Sequence, residues 1–299
     1  MGPGARDNMR FVSGPETTSP IAVFDSGVGG LTVLHECLVS LPHEDFVYFG
    51  DTARFPYGDR SPEELEAFAL QIAALLVEEG AKLLVVACNS ATAAALPALR
   101  RELRGRVSVV GVVEPESRLA AAVTTGGRIG LLATPATVAS GAYARALAHA
   151  APDAELVAVA CPELASLIQR GGEVDDVLVD TVEGHCTPLR DARVDTVILG
   201  CTHYPLVRPV IQRAMGRGVS VVSSGEAIAG TVESELRSSG LGAPDEHRRG
   251  RYRFLCSGDA EGFRRLGTRF LQLPLGLVSR VPLGPPAPGS LPARAGAAA

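Results

Sequence analysis

The feature that most constrains the fold is a set of four short apolar segments that occurs twice along the chain. Each segment is rich in Val, Ile and Leu and is followed by a longer Ala- and Leu-rich stretch. Short β-branched runs of this kind are typical of buried strands, and the longer stretches are typical of helices. The segments span 21–25, 46–50, 83–87 and 107–112, and then 128–134, 154–160, 195–200 and 219–222. The alternation predicts mainly parallel sheets covered by helices.

The second set of segments follows the first at an offset of about 110 residues, in the same order. The sequence Val-Ser-Val-Val at 107–110 returns unchanged at 219–222. We therefore predict an α/β protein of two similar domains related by a pseudo-twofold axis, with an active site in the cleft between them. The predicted units are a disordered extension at 1–19, a first domain at 20–113 plus 226–282, a second domain at 114–225, and a disordered Pro/Ala-rich tail at 283–299. A helix at 263–271 is predicted to be the last element of the first domain.

Composition narrows the class of partner. The 299 residues carry a formal net charge of −5 and no run of Lys or Arg, so no nucleic-acid partner is expected. Neither a signal-peptide pattern nor an apolar stretch of membrane-spanning length is present, so we expect no membrane association and a cytoplasmic location. The 6 cysteines form no C-x-x-C pair, which predicts reduced thiols and no metal site.

Two of these cysteines directly follow the third predicted strand of each set. Cys88 comes after 83–87 and Cys201 after 195–200. Pro97 and Pro209 are predicted to open or break the helix that follows each cysteine. Because parallel sheets bind ligands at the carboxyl ends of their strands, the duplication places one thiol at the ligand-binding edge of each half.

Two thiols facing one cleft suit racemisation. That reaction needs a base on one face of a tetrahedral carbon and an acid on the other, and a thiolate and a thiol can exchange these roles. A free thiol is only slightly ionised near neutrality. We expect the polar neighbours and helix N-termini beside Cys88 and Cys201 to increase the thiolate fraction.

Four motifs extend this interpretation into a family resemblance. They are Asp25-Ser26-Gly27-Val28-Gly29-Gly30-Leu31, Tyr48 to Gly58 (YFGDTARFPYG), Ala87-Cys88-Asn89-Ser90 and Gly200-Cys201-Thr202-His203-Tyr204-Pro205. With these motifs the chain resembles glutamate racemase over residues 20–282. The resemblance implies interconversion of L- and D-glutamate without a cofactor or metal, supplying D-glutamate for peptidoglycan and hence for the cell wall and cell shape. It also allows a homodimer.

The resemblance also implies site residues. Cys88 would deprotonate D-glutamate and Cys201 would deprotonate L-glutamate. Substrate would be bound by four pairs of neighbouring residues, namely Asp25-Ser26, Tyr57-Gly58, Asn89-Ser90 and Thr202-His203. Thr134 and Thr137 match a weaker threonine pair of the family.

The sequence departs from the family in two places, and other interpretations stay open. Gln169 stands where the family usually carries a glutamate, so His203 would lack a charged partner, and Glu116 stands where glycine is common. Aspartate racemase shares the two-cysteine architecture, and a catalytically idle binding relative is a third interpretation. The glycines at 27–30 also imitate a dinucleotide-binding loop, although Thr32 replaces its third glycine.

Overall fold

The computed structural model describes residues 15–171, 174–245 and 247–285. Its strands are β1 Ile21–Asp25, β2 Phe46–Gly50, β3 Leu83–Val86, β4 Ser108–Gly111, β5 Arg128–Ala133, β6 Glu155–Ala160, β7 Thr196–Gly200, β8 Ser220–Val222, β9 Tyr252–Cys256 and β10 Val278–Arg280. Its helices are α1 Leu31–Ser40, α2 Pro62–Glu78, α3 Asn89–Glu102, α4 Val113–Val123, α5 Pro135–Ala139, α6 Ala142–Ala150, α7 Leu164–Arg170, α8 Asp176–Asp191, α9 Arg208–Met215, α10 Ser224–Ser239 and α11 Ala260–Leu271, with a 3₁₀ helix at Tyr204–Val207.

The strands form two parallel sheets that repeat one topology. The first sheet has the order β10-β9-β2-β1-β3-β4 and the second has the order β6-β5-β7-β8. Every strand pair is parallel, and the order β2-β1-β3-β4 corresponds strand for strand to β6-β5-β7-β8. The predicted α/β class with two mainly parallel sheets is confirmed, and the internal repeat has a structural counterpart in this shared order.

Two details differ from the sequence expectation. Strands β9 and β10 flank α11, so the helix predicted at 263–271 is followed by a further strand. Neither strand has a strong sequence signal, because β9 is 5 residues long with the charged Arg253 near its start and β10 has only 3 residues. Pro97 lies inside α3 without ending it, whereas Pro209 lies in the first turn of α9 as expected. Helix α3 continues past Pro97 because its buried face is packed on both sides of the proline.

Local sequence explains how individual helices begin. Ser61 accepts a hydrogen bond from the Glu64 N–H while the Glu64 side chain accepts one from the Ser61 N–H, a capping box ahead of Pro62. Asp175 and Asp259 are the N-cap residues of α8 and α11, and their side chains accept hydrogen bonds from the Leu178 and Glu261 N–H groups. The apolar faces of these helices then pack against the sheets in extended buried clusters.

The chain ends lie largely outside the described residues, since 1–14 and 286–299 belong to the predicted extension and tail. Within the described part, the Thr17 carbonyl accepts a hydrogen bond from buried Lys82, and the Gly284 carbonyl accepts one from Gln71. No helix among the described residues has the length and apolar character needed to cross a membrane.

Candidate active site

A pocket lies where the carboxyl ends of the strands of both sheets come together. Residues that follow β1, β3, β5, β6 and β7 all line it, as the rule for parallel sheets predicts. The lining residues are Ser26, Phe55, Pro56, Tyr57, Gly58, Asp59, Cys88, Asn89, Ser90, Thr134, Pro135, Cys161, Glu163, Ala165, Ser166, Cys201, Thr202 and His203. The structure therefore brings both predicted cysteines and seven of the eight predicted binding residues to one pocket; the eighth, Asp25, is buried beside it.

Cys88 occupies the N-cap position of α3. Its sulfur accepts a hydrogen bond from the Ala91 N–H at 3.5 Å, and its side chain is almost fully buried. Burial and the nearby Asp25 carboxylate raise the pKa of the Cys88 thiol to about 12, against the weaker opposing effect of hydrogen bonds from Ala91 and Ser26. The N–H group at the start of α3 therefore lowers the Cys88 pKa by less than desolvation raises it.

Cys201 has an equivalent position after β7. Burial raises the pKa of its thiol well above the usual value, while the His203 backbone N–H lowers it. A Cys88 thiolate would raise the Cys201 pKa further, because both cysteines line one pocket and like charges repel. The sequence expectation of an increased thiolate fraction is wrong for both cysteines, because burial outweighs the polar neighbours.

His203 links Cys201 to Gln169. Its Nδ1 lies 3.9 Å from the Cys201 sulfur and its Nε2 lies 2.9 Å from Gln169 Oε1. The ring packs against Phe55 and Phe270, with centroids 5.4 and 5.2 Å away. Burial lowers the pKa of His203 to about 3, so the imidazole is neutral near pH 7. Gln169 thus provides a neutral partner for this histidine, although the expected carboxylate is absent.

Asp25 connects the two halves of the site. Its carboxylate accepts hydrogen bonds from the Gly27 N–H at 3.1 Å and from Thr202 Oγ1 at 3.3 Å, and burial raises its pKa. Thr32 Oγ1 donates to the Thr202 carbonyl at 3.1 Å and adds a second link. The cysteine corner of the second sheet is therefore held against the loop that follows β1.

That contact explains the glycine-rich loop at 27–30. A Cβ atom on Gly29 would lie 2.4 Å from Thr202 Oγ1 and 2.5 Å from the His203 ring. A Cβ atom on Gly30 would lie 2.5 Å from the Asp25 Cβ. In this fold the glycines allow the two halves of the site to approach, which replaces the dinucleotide-loop interpretation with a packing reason.

Tyr57 lines the pocket, but its hydroxyl group donates to Asp51 and not into the pocket. Its hydroxyl donates to Asp51 Oδ2 at 2.5 Å, and Asp51 also accepts from Arg54 Nε at 2.6 Å and from Ser257 at 2.7 Å. The Tyr57 hydroxyl is thus committed to Asp51. The pocket receives the ring of Tyr57 and the backbone of the loop that Asp51 fixes, including Gly58.

Three hydroxyl groups form a triangle on one side of the pocket. Ser90 Oγ lies 2.9 Å from Thr134 Oγ1 and 3.0 Å from Thr137 Oγ1, and the two threonine hydroxyls are 3.0 Å apart. All three residues are buried. Hydroxyl groups can donate to carboxylate oxygens, so this cluster between α3 and α5 is suited to an acidic ligand.

Several residues of the pocket were not predicted from the sequence. Cys161, Glu163 and Ser166 follow β6 and line the pocket, and Phe55 covers the His203 ring. The Cys161-Pro162 step directly after β6 was an available signal, because it marks another carboxyl strand end. Asp51 was also missed as a supporting residue, although it directly follows β2.

Comparison with known proteins identifies the family. Residues 32–232 match the family model of Asp/Glu/Hydantoin racemase. The chain is 47% identical to the glutamate racemase of Geobacter metallireducens over 263 residues. That alignment covers 88% of this chain and 96% of the Geobacter enzyme.

Solved structures agree with the sequence match. The glutamate racemase of Bacillus anthracis superposes with a TM-score of 0.84 at 36% identity, covering 91% of this chain and 99% of that one. The glutamate racemase of Francisella tularensis, in complex with D-glutamate, superposes with a TM-score of 0.82 at 30% identity. That superposition covers 89% of this chain and 98% of the Francisella chain. The chain therefore belongs to the Asp/Glu/Hydantoin racemase family, with glutamate racemases among its relatives, and is an amino-acid racemase.

Proposed function

We propose that this protein interconverts L- and D-glutamate without a cofactor, using Cys88 and Cys201 as the two acid/base groups. The observation that carries the proposal is the placement of two buried thiols at equivalent strand ends, both lining one pocket. The family match and the names of the relatives support glutamate as the substrate.

The proposed reaction conserves protons. One cysteine, as a thiolate, takes the α-proton and becomes a thiol, which leaves the electron pair on the α-carbon. The other cysteine, as a thiol, gives its proton to the opposite face of that carbon and becomes a thiolate. Following the family resemblance, Cys88 acts on D-glutamate and Cys201 acts on L-glutamate.

The raised thiol pKa values require help in forming the thiolate. The ammonium group of a bound amino acid would favour a neighbouring thiolate, because opposite charges attract strongly in a buried site. Neutral His203, with a pKa of about 3, can accept a hydrogen bond from the Cys201 thiol at Nδ1 but does not take its proton, so the ammonium is the group that favours the thiolate. The Asp25 carboxylate raises the Cys88 pKa, and an ammonium group bound beside Asp25 would offset that effect.

Substrate binding follows from the polar groups around the thiols. The hydroxyls of Ser26 and Ser90 line the pocket and can donate to carboxylate oxygens, whereas the Thr202 hydroxyl donates to Asp25. The hydroxyl triangle of Ser90, Thr134 and Thr137 would hold one carboxylate. The Asp25 carboxylate is the natural acceptor for the substrate ammonium.

The cellular setting completes the proposal. D-glutamate made by this enzyme would supply peptidoglycan synthesis in the cytoplasm and so contribute to the cell wall and cell shape. We further propose that the two sheets belong to two domains, at 20–113 plus 226–282 and at 114–225, and that a homodimer is compatible with this arrangement.

Cys88→Ser and Cys201→Ser test the mechanism. Each is expected to reduce racemisation by orders of magnitude, because a serine hydroxyl is a far weaker acid than a thiol. In heavy water, Cys88→Ser should lose α-proton exchange from D-glutamate, and Cys201→Ser should lose it from L-glutamate. Optical rotation and proton NMR provide the two measurements.

Cys186→Ser is the matched control, since Cys186 is also a buried free thiol but lies in α8, outside the pocket lining. It should racemise glutamate at the wild-type rate. Near-wild-type racemisation by either active-site variant would rule out the two-thiol mechanism. Faster turnover of aspartate than of glutamate would contradict the proposed substrate.

A further inference from the structure

The side chain of Glu116 lies in a buried polar cluster directly behind Asn89. Glu116 belongs to α4 and is fully buried. Its carboxyl group accepts hydrogen bonds from Asn89 Nδ2 at 3.0 Å, from Ser224 Oγ at 2.6 Å and from the Tyr143 hydroxyl. These donors come from α3, α10 and α6, so one carboxyl group joins four helices.

The hydrogen bonds of this cluster determine which way the Asn89 amide faces. A tyrosine hydroxyl has a single proton, and Tyr143 donates it to Glu116. Towards Asn89, Tyr143 can therefore only accept, and it does so from Nδ2 at 2.7 Å. Both amide hydrogens of Asn89 are then used within the cluster.

The other end of the amide has no such partner. Asn89 lines the active-site pocket, and its Oδ1 atom is buried without a hydrogen-bond partner among the described residues. A buried carbonyl oxygen in this situation costs free energy unless a donor reaches it. The donors that an amino-acid substrate offers are the N–H groups of its ammonium.

We propose that Glu116 is a positioning residue for the ammonium group of the substrate, because it holds Asn89 with the amide nitrogen inward and the amide oxygen toward the pocket. The inference rests on the proposed function and adds a specific contact to it. Asn89 Oδ1 accepts an ammonium hydrogen, while the carboxylates of the substrate bind elsewhere. Glu116 itself does not touch the substrate.

The role depends on an acceptor atom and not on charge. Burial raises the pKa of Glu116 to about 8, and a carboxyl group keeps an acceptor oxygen whether or not it is protonated. A side chain without an acceptor would free the Tyr143 proton to donate to Asn89 Oδ1. The amide would then turn over and present N–H groups to the ammonium, which repel it.

Two substitutions at Glu116 separate these effects. Glu116→Met removes the acceptor at similar volume and should raise KM for glutamate about tenfold with a smaller change in kcat. Glu116→Gln keeps a carbonyl oxygen for Tyr143 and Asn89, and its amide can donate to Ser224, so its KM should stay within about threefold of wild type. Glu114→Gln is the matched control, because Glu114 is exposed on the same helix and pairs with Arg100.

The decisive measurement compares glutamate with glutarate, the same dicarboxylate without the ammonium. In Glu116→Met the inhibition constant of glutarate should be unchanged while KM for glutamate rises. The proposal would be overturned if Glu116→Met weakened the binding of both ligands equally or of neither. It would also be overturned if Glu116→Gln raised KM for glutamate as much as Glu116→Met does.

If Glu116→Met does not fold, Asn89→Ala carries the same comparison. It should weaken glutamate binding and spare glutarate, and an equal effect on both would overturn the proposal. Absence of glutamate racemisation in the wild-type protein would be a separate result, which refutes the proposed function and this inference with it.

Discussion

Gly29→Ala tests whether the close approach of the two halves sets the geometry of the active site. The backbone of Gly29 lies outside the left-handed region, so an alanine would meet only the packing constraint. Its Cβ would lie 2.4 Å from Thr202 Oγ1 and 2.5 Å from the His203 ring. Ordinary Cβ contacts begin at 3.4 Å, so Thr202 and His203 must retreat by about 1 Å.

The expected loss follows from that displacement. Overpacking a buried contact typically costs about 1–3 kcal/mol of unfolding free energy. A misplacement of about 1 Å at a catalytic site can reduce the rate by about 10²-fold. Because Cys201 directly precedes Thr202, the loss of kcat/KM for glutamate should exceed what the loss of stability explains.

Racemisation kinetics by polarimetry and urea unfolding measure the two effects on the same protein. Gly184→Ala is the matched control, since Gly184 lies on the exposed side of α8 with no atom within 4 Å of the added Cβ. That change should leave activity intact and stabilise the protein by about 0.5–1 kcal/mol. A Gly29→Ala variant with activity within twofold of wild type would refute the close-approach argument.

Two further predictions concern buried charges outside the thiol pair. Lys82→Met should destabilise the fold by about 3–5 kcal/mol in urea unfolding, because it leaves Glu44 buried without the partner that lies 2.6 Å away. Adding Glu44→Gln should recover part of that loss, and a neutral single variant would contradict the reasoning. Burial raises the pKa of Glu116 from its usual 4.5 to about 8 in the folded state, so folding favours the protonated form. Its contribution to stability therefore falls as pH rises between these values. The stability of wild type relative to Glu116→Gln should therefore fall by about 1.4 kcal/mol per pH unit between about pH 5 and 8, and a difference independent of pH would contradict the assignment.

The two cysteines and His203 differ in how far the sequence determines their surroundings. The positions of Cys88 and Cys201 were predictable, because each follows a strand of strongly apolar, β-branched residues and strand ends of parallel sheets converge. The partner of His203 was not predictable, because Gln169 and His203 are 34 residues apart and meet only through the packing of α7.

The pKa values of the site residues depend partly on features visible in the sequence and partly on the fold. Neighbouring polar residues and helix N-termini are visible in the sequence, and they favour a thiolate. The extent of burial is not visible in the sequence, and it dominates the pKa values of Cys88, Cys201 and His203. Desolvation depends on every atom around a group, so it appears only when the whole chain is folded.

The duplicated pattern of strands and helices, and the cysteine that follows the third strand of each copy, are determined by the sequence itself. Both are local signals, since periodicity and turn residues act over a few positions along the chain. The tertiary structure alone decided that Thr202 packs on Gly29, that Asp51 takes the Tyr57 hydroxyl, and that Glu116 orients Asn89. Asp51 and Tyr57 are only 6 residues apart, but their contact depends on how the intervening loop folds. The other two contacts join different secondary-structure elements, so they form only when those elements pack together.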